Sequence, residues 1–129
     1  MYCLDTNIII EFFKGNERII KKIKENLNNQ LFLTTLSLCE LYKGAFLSSN
    51  KDGEVTKIQT LLGYLELITL NKKTAEIFGE KYRLLQDIGK KTQEFDLLNA
   101  SIALAHGLVF VTHNTKHFID IPGFKIEEW

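Results

Sequence analysis

The stretch Met1-Tyr2-Cys3-Leu4-Asp5-Thr6-Asn7-Ile8-Ile9 decides how the rest of the chain is read. Its first residues form a short apolar run with no helical period, as in a buried strand. The polar triplet Asp5-Thr6-Asn7 is made of good helix caps and opens a segment carrying Ile8, Ile9, Phe12 and Phe13, so the pattern is strand then helix. The same alternation recurs downstream. A second run over 31–34 precedes the stripe Leu38, Leu41, Tyr42, Ala45 and Phe46. A third over 65–70 precedes Asn71, a plausible cap, and a helix with Ala75, Phe78, Gly79, Tyr82 and Leu85 on one side. A helix over 95–106, begun by Asp96 and closed by Gly107, leads into a fourth run over 108–112, and 125–129 follows the Pro122-Gly123 turn as a last edge strand. Ile19, Ile20, Ile23 and Leu27, flanked by Arg18, Lys21, Lys22 and Lys24, predict a basic amphipathic helix. The turn-rich break over 48–53 separates two helices, the second starting near Glu54, and predicts a helical hairpin. Strands alternating with helices of this length predict an α/β fold, with a central, mainly parallel sheet of four to five strands covered on both faces.

Composition narrows the functional classes. A chain of 129 residues, 45% hydrophobic and 25% charged, is expected to form one domain over 1–129 with a real core. No apolar stretch approaches the ~20 residues needed to span a bilayer, and Met1 leads straight into a strand, so the expectation is a cytoplasmic protein without a membrane segment. Cys3 and Cys39 have neither metal-knuckle nor redox-pair spacing and read as small buried side chains. Sixteen basic and sixteen acidic residues cancel, which removes any global pull toward nucleic acid. Asp5-Thr6-Asn7 lacks the second aspartate of a D-x-D phosphatase, and no Gly-rich phosphate loop is present.

The acids carry the functional signal. Asp5 ends the first apolar run, and Glu40 and Asp96 stand where later strand-helix units begin. Each has a plain structural explanation. Asp5 and Asp96 are natural helix caps, and Ser37-Leu38-Cys39-Glu40 has capping-box spacing, with Glu40 turning back to the Ser37 amide. In an open parallel sheet, however, the carboxyl ends of the strands converge on one crevice, where acids distant in sequence can meet around a cation. Positions 37, 40 and 44 share a helix face, and Gly44 leaves room for something to approach. His113 and His117 could form a zinc clip only if their segment were helical, or serve a metal-free ribonuclease as acid and base. His106 reads as a favourable charge at a helix end.

The blocks Leu4-Asp5-Thr6-Asn7, Glu40 with Gly44, Phe95-Asp96-Leu97-Leu98-Asn99-Ala100, and Thr112-His113-Asn114 running to His117-Phe118 follow one another along the chain. In this order and spacing they resemble the PIN-domain nucleases, most closely the small VapC-type toxins of toxin-antitoxin pairs. The Pro122-Gly123 turn and Trp129 look like these toxins too. The resemblance implies a PIN-like three-layer sandwich and a metal-dependent endoribonuclease, the toxin of a type II toxin-antitoxin system. It implies Asp5, Glu40 and Asp96 as the catalytic metal-binding centre, with Thr6, Asn7, Asn99 and Thr112 as polar support. Asn114 and His117 stand where many relatives carry a fourth acid. It further implies an RNA substrate, a VapB-type antitoxin that blocks the acidic cleft, and a homodimer.

Hard oxygen ligands suit Mg2+, with Mn2+ as a ready substitute. Asn114 brings no negative charge, so one tight metal and one recruited with substrate are expected. The same departure keeps a second reading open, a PIN-like RNA- or protein-binding module that has lost catalysis. Lys14, Arg18, Lys21, Lys22 and Lys43 are candidates for the RNA backbone, set against an ordinary solvated helix face. The helices over 8–27 and 38–62 hold more apolar residues than one small core needs, which marks them as expected contact surfaces.

Overall fold

A computed structural model describes residues 1–129. Five strands, β1 (Tyr2–Leu4), β2 (Leu31–Thr34), β3 (Glu66–Ile68), β4 (Val109–Val111) and β5 (Ile126–Glu127), form one sheet in the order β3-β2-β1-β4-β5. Every neighbouring pair is parallel, with Tyr2 opposite both Leu31 and Val109. The helices are α1 (Thr6–Phe13), α2 (Glu17–Asn26), α3 (Thr35–Leu47), α4 (Lys51–Leu61), α5 (Lys72–Asp87), α6 (Glu94–Ala105) and the single turn α7 (Thr115–Phe118), with a 3-10 turn at Leu27–Asn29.

Alternation along the strands sorts the helices onto two faces, because successive side chains of a strand point to opposite sides. Leu4, Leu31, Leu33 and Val111 point to one face and pack with Ile8, Ile9, Ile19, Leu41 and Ile58 of α1 to α4. Cys3, Phe32 and Phe110 point to the other and pack with Leu85, Leu97, Ala100, Ile102 and Phe118 of α5 to α7. The result is the expected parallel sheet between helix layers. Trp129 locks the far edge: its ring meets Tyr2 edge-on with centroids 5.3 Å apart, and its indole N–H donates to Glu127 at 3.0 Å.

The chain steps from β1 outward to β2 and β3, then crosses back to add β4 and β5 on the other side of β1. The reversal places a crevice at the carboxyl ends of β1 and β4, the position where ligands bind in such sheets. The Asp5 amide donates to Val111 O at 2.9 Å, so the chain leaves β1 tied to β4 at that point.

Some local expectations do not hold. The α4 helix begins at Lys51 rather than near Glu54, with Asp52 and Glu54 both in its first turn, where carboxylates favour the positive helix end. The buried side of α5 runs through Thr74 and Leu85 with Phe78 half-buried, while Gly79 and Tyr82 are exposed. Cys39 is exposed on α3, and only Cys3 is buried. Burial pushes the Cys3 thiol up and keeps it unreactive. No helix is long and apolar enough to cross a membrane.

Candidate active site

Asp5 is the residue between β1 and α1, with extended backbone, and its carboxylate does two jobs there. Oδ1 accepts from the Thr6 amide at 2.8 Å, capping α1, and Oδ2 accepts from the Thr112 hydroxyl at 2.6 Å and from Asn7 Nδ2 at 3.0 Å. Thr112 follows β4 and is fully buried, and its Oγ1 also accepts from Asn7 Nδ2 at 3.2 Å and the Asn114 amide at 3.0 Å. Asn7 Oδ1 in turn accepts from the His113 amide at 3.2 Å. The polar triplet after β1 is thus knitted to the end of β4 across the crevice, which fixes the Asp5 carboxylate in place.

Asp5 is only 8% exposed. Burial raises its pKa, the Thr112 hydroxyl and Thr6 amide counteract this, and the charges of Glu40 and Asp96 push it further up. No Lys, Arg or His lies within ion-pair distance of Asp5 or Glu40.

Glu40 reaches the same place from α3. Thr34, not Ser37, is the cap of that helix: its Oγ1 accepts from the Ser37 amide at 3.0 Å. The capping-box reading of Glu40 therefore fails, since the Ser37 amide is already satisfied and Glu40 sits in the second turn, exposed. Its Oε2 instead accepts from the Thr6 hydroxyl at 2.5 Å, linking α3 to α1. Ser37 lies away from the cleft, with a buried Oγ that has no hydrogen-bond partner.

Asp96 is not the cap of α6 either. Gln93 holds that position, and Asp96 lies in the first turn of a helix that follows another helix rather than a strand. The three acids thus occupy three different places: a strand end, the second turn of a helix and the first turn of another. What they share is one cleft of ≈ 460 Å3, which Asp5, Glu40, Asp96, Thr6, Asn7, Asn114 and His117 all line. His117 Nδ1 donates to Asp96 Oδ2 at 3.2 Å.

Two predicted supports stand behind the cleft rather than in it. Thr112 braces Asp5 from below, and Asn99 is buried, where it accepts the Thr34 hydroxyl and ties α6 to the β2–α3 junction. Of the five cations proposed, Lys43 lines the cleft, next to Gly44. Lys14 pairs with Glu11 and Lys21 with Glu25, and neither these nor Arg18 and Lys22 reach the cleft wall. The structure adds Gln93, which no periodicity or motif singled out, because its place on the wall depends on how α5 and α6 join. His106 Nδ1 meets Ile102 O at 2.9 Å, a local contact at the end of α6.

No three His, Cys, Asp or Glu side chains converge tightly enough to form a closed metal shell. That speaks against a zinc clip at His113 and His117, since such sites are closed by the protein. The same holds of Asp5, Glu40 and Asp96, which share the cleft without closing a shell around one point. Mg2+ keeps several waters and takes only one or two carboxylates plus substrate phosphate oxygens. Asp5 and Glu40 have no basic partner and Asp96 has His117 at 3.2 Å, and the carboxylate oxygens of the three acids are the donor type that such an ion takes.

The family model described as PIN domain matches residues 2–123. Ribonuclease VapC1 of Haemophilus influenzae is 31% identical over 131 residues, covering 100% of this chain and 98% of that protein. The tRNA(fMet)-specific endonuclease VapC of Salmonella typhimurium is 30% identical, covering 99% of this chain and 97% of its own length. Among solved structures, VapBC2 of Rickettsia felis bound to a DNA fragment from its promoter superposes with a TM-score of 0.92 at 29% identity, covering 99% of this chain and 98% of that one.

Proposed function

Because the chain belongs to the PIN-domain family and has VapC ribonucleases as full-length relatives, we propose that it is a divalent-metal-dependent endoribonuclease, the toxin half of a toxin-antitoxin pair. The observation that carries this reading is the buried Asp5 carboxylate, held by three side-chain or backbone donors, lacking a basic partner, and opening on the same cleft as Glu40 and Asp96.

Asp5 and Asp96 would hold the cation, with Glu40 joining them directly or through water, and Mg2+ is the ion we assign, with Mn2+ able to substitute. When bound, the ion activates a water and offsets the charge that builds on the phosphodiester during in-line attack. The chain's own residues do the positioning. Thr112, Asn7 and the Thr6 amide fix both oxygens of Asp5, the Thr6 hydroxyl orients Glu40, and His117 orients Asp96. Asn114 and Lys43, on the cleft wall, would meet phosphate oxygens of the RNA. With Asn114 and His117 in place of a further acid, these residues would hold a second ion only weakly, together with phosphate oxygens of the substrate.

The relative from Rickettsia felis is a VapBC complex, which supports a VapB-type antitoxin as the partner here. An apolar groove of ≈ 490 Å3, walled by Phe12, Phe13, Ile23, Leu27, Leu61 and Tyr64, runs between α1–α2 and α4 and offers a seat for an apolar segment of such a partner. Exposed Phe46 and Leu47 on α3 offer an apolar surface for a homodimer.

The test is cleavage of tRNA and other structured RNA in Mg2+ or Mn2+. Wild-type protein is expected to cut, and Asp5→Asn and Asp96→Asn to lose cutting while remaining folded by circular dichroism. RNA that binds but is not cut by wild type in either ion would replace the nuclease with a binding module.

A further inference from the structure

Beside the acidic cleft lies a second hollow of ≈ 660 Å3, formed by the end of α5, the loop that follows it and the start of α6. Gln93 lines both hollows, so they meet at one side chain. Their charges are opposite in character. The second wall carries Lys90 and Lys91, with Glu94 its single carboxylate. Lys91 has no ion-pair partner, and Lys90 only leans on Asp120 at 3.8 Å with both side chains exposed, a pairing that solvent largely screens.

The loop that presents these lysines is held rather than loose. Gly89 adopts φ 68, its amide donates to Gln86 O at 3.0 Å, and the Lys90 amide donates to Leu85 O at 2.9 Å, the two crossed bonds of a Schellman cap. Tyr82, 40% exposed, also lines this hollow, its ring tilted against Phe78 with centroids 6.1 Å apart. The Gln93 side chain makes no capping bond and is exposed between the two hollows.

We propose that this hollow binds the single-stranded RNA flanking the scissile phosphodiester: Lys90 and Lys91 take backbone phosphates, Tyr82 stacks on a base, and Gln93 marks the passage into the acidic cleft. The inference rests on the ribonuclease reading above and deepens it by giving the strand a path. Lysines beside an exposed aromatic ring are the elements of sequence-tolerant single-strand binding. An acidic cleft also needs such a neighbour, because the polyanion must gain attraction outside the carboxylates it approaches. The basic face of α2, whose cations the sequence offered as candidates for the RNA backbone against an ordinary solvated face, has no such continuity with the cleft.

The experiment measures binding and cleavage separately. Anisotropy of a fluorescent twelve-nucleotide single-stranded RNA, with divalent ions chelated, reports binding without cleavage. The K90A/K91A double variant of the full chain should bind about ten-fold more weakly, and the slope of log affinity against log salt should shrink by about 1.4, the share of two phosphate contacts on a single strand. Y82A should weaken binding about ten-fold with the salt slope unchanged. K21A/K22A, which removes equal charge from α2, should bind like wild type. Equal binding by wild type and K90A/K91A, including no binding by either, overturns the proposal, as does an equal loss in K21A/K22A. Cleavage by wild type in Mn2+ tests the ribonuclease reading on its own, so the two can fail independently.

Discussion

Thr112→Val keeps the size and branching of a fully buried side chain and deletes one hydroxyl, which makes it a sharp probe of the Asp5 network. That hydroxyl gives Asp5 its 2.6 Å hydrogen bond and accepts from the Asn114 amide and Asn7 Nδ2. A hydrogen bond to a charged group contributes about 1.5–3 kcal/mol, and more of that range applies where burial prevents water from replacing it. Asn7 Nδ2 keeps its bond to Asp5, and Asn114 is exposed enough for water to reach, so these losses add little. The expected cost at neutral pH is therefore about 2–3 kcal/mol, a drop of roughly 10 °C in Tm for a chain of this size. The Thr112 hydroxyl is also the leading influence holding the Asp5 pKa down against burial, so the variant raises that pKa further. The stability deficit should then narrow in acid, where a protonated Asp5 no longer needs the donor. Urea unfolding of the metal-free protein at neutral and acid pH measures both effects. A variant within about 0.5 kcal/mol of wild type at neutral pH would refute the view that Thr112 sustains a buried, ionised Asp5.

The raised pKa of Asp5 has a direct consequence for metal-free stability. Folding favours its protonated form, so the native state binds more protons than the unfolded chain between the ordinary value of 3.8 and the raised one, and the Asp5 contribution to stability falls as pH rises through that window. Urea midpoints for wild type and Asp5→Asn in chelator should diverge in the variant's favour across it; divergence in the opposite sense contradicts the assignment. Asn99→Ala should cost about 1–3 kcal/mol by stripping the buried Thr34 hydroxyl of its acceptor. Cleavage per folded molecule should persist, because Asn99 stands outside the cleft; a variant that is fully stable but inactive would return Asn99 to the site.

Much of the architecture could be read from the sequence because the strands are short, apolar and separated by long periodic helices. The run over 31–34 matches β2 residue for residue, and 125–129 does contain an edge strand. Asp5 was legible for the same reason: a carboxylate between an apolar run and a helix has one topological place to be. Asp96 and Glu40 line the same cleft as Asp5, though the local capping roles open to them are filled by other residues. Capping preferences are shared by several neighbouring residues, and Thr34 and Gln93 took the positions that Ser37 and Asp96 also suited. Tertiary placement decided the rest. Arg18, Lys21 and Lys22 form a basic face by periodicity alone, but how α2 packs on α1 turns it from the cleft, while Lys43, Lys90 and Lys91 reach the cleft or its neighbour from elements with weaker patterns. Tyr82 looked like core for similar reasons, since the apolar stripe of α5 is wider than the face α6 covers.

The account stands on Asp5 and Asp96 gripping a divalent ion in one cleft, and calorimetric titration of the chain with Mn2+ asks this most directly. Wild type should bind, and Asp5→Asn and Asp96→Asn should each bind about 100-fold more weakly or not at all, since even residues that only support metal ligands cost 10–100-fold. Affinity unchanged in both variants would place the ion elsewhere and contradict the account.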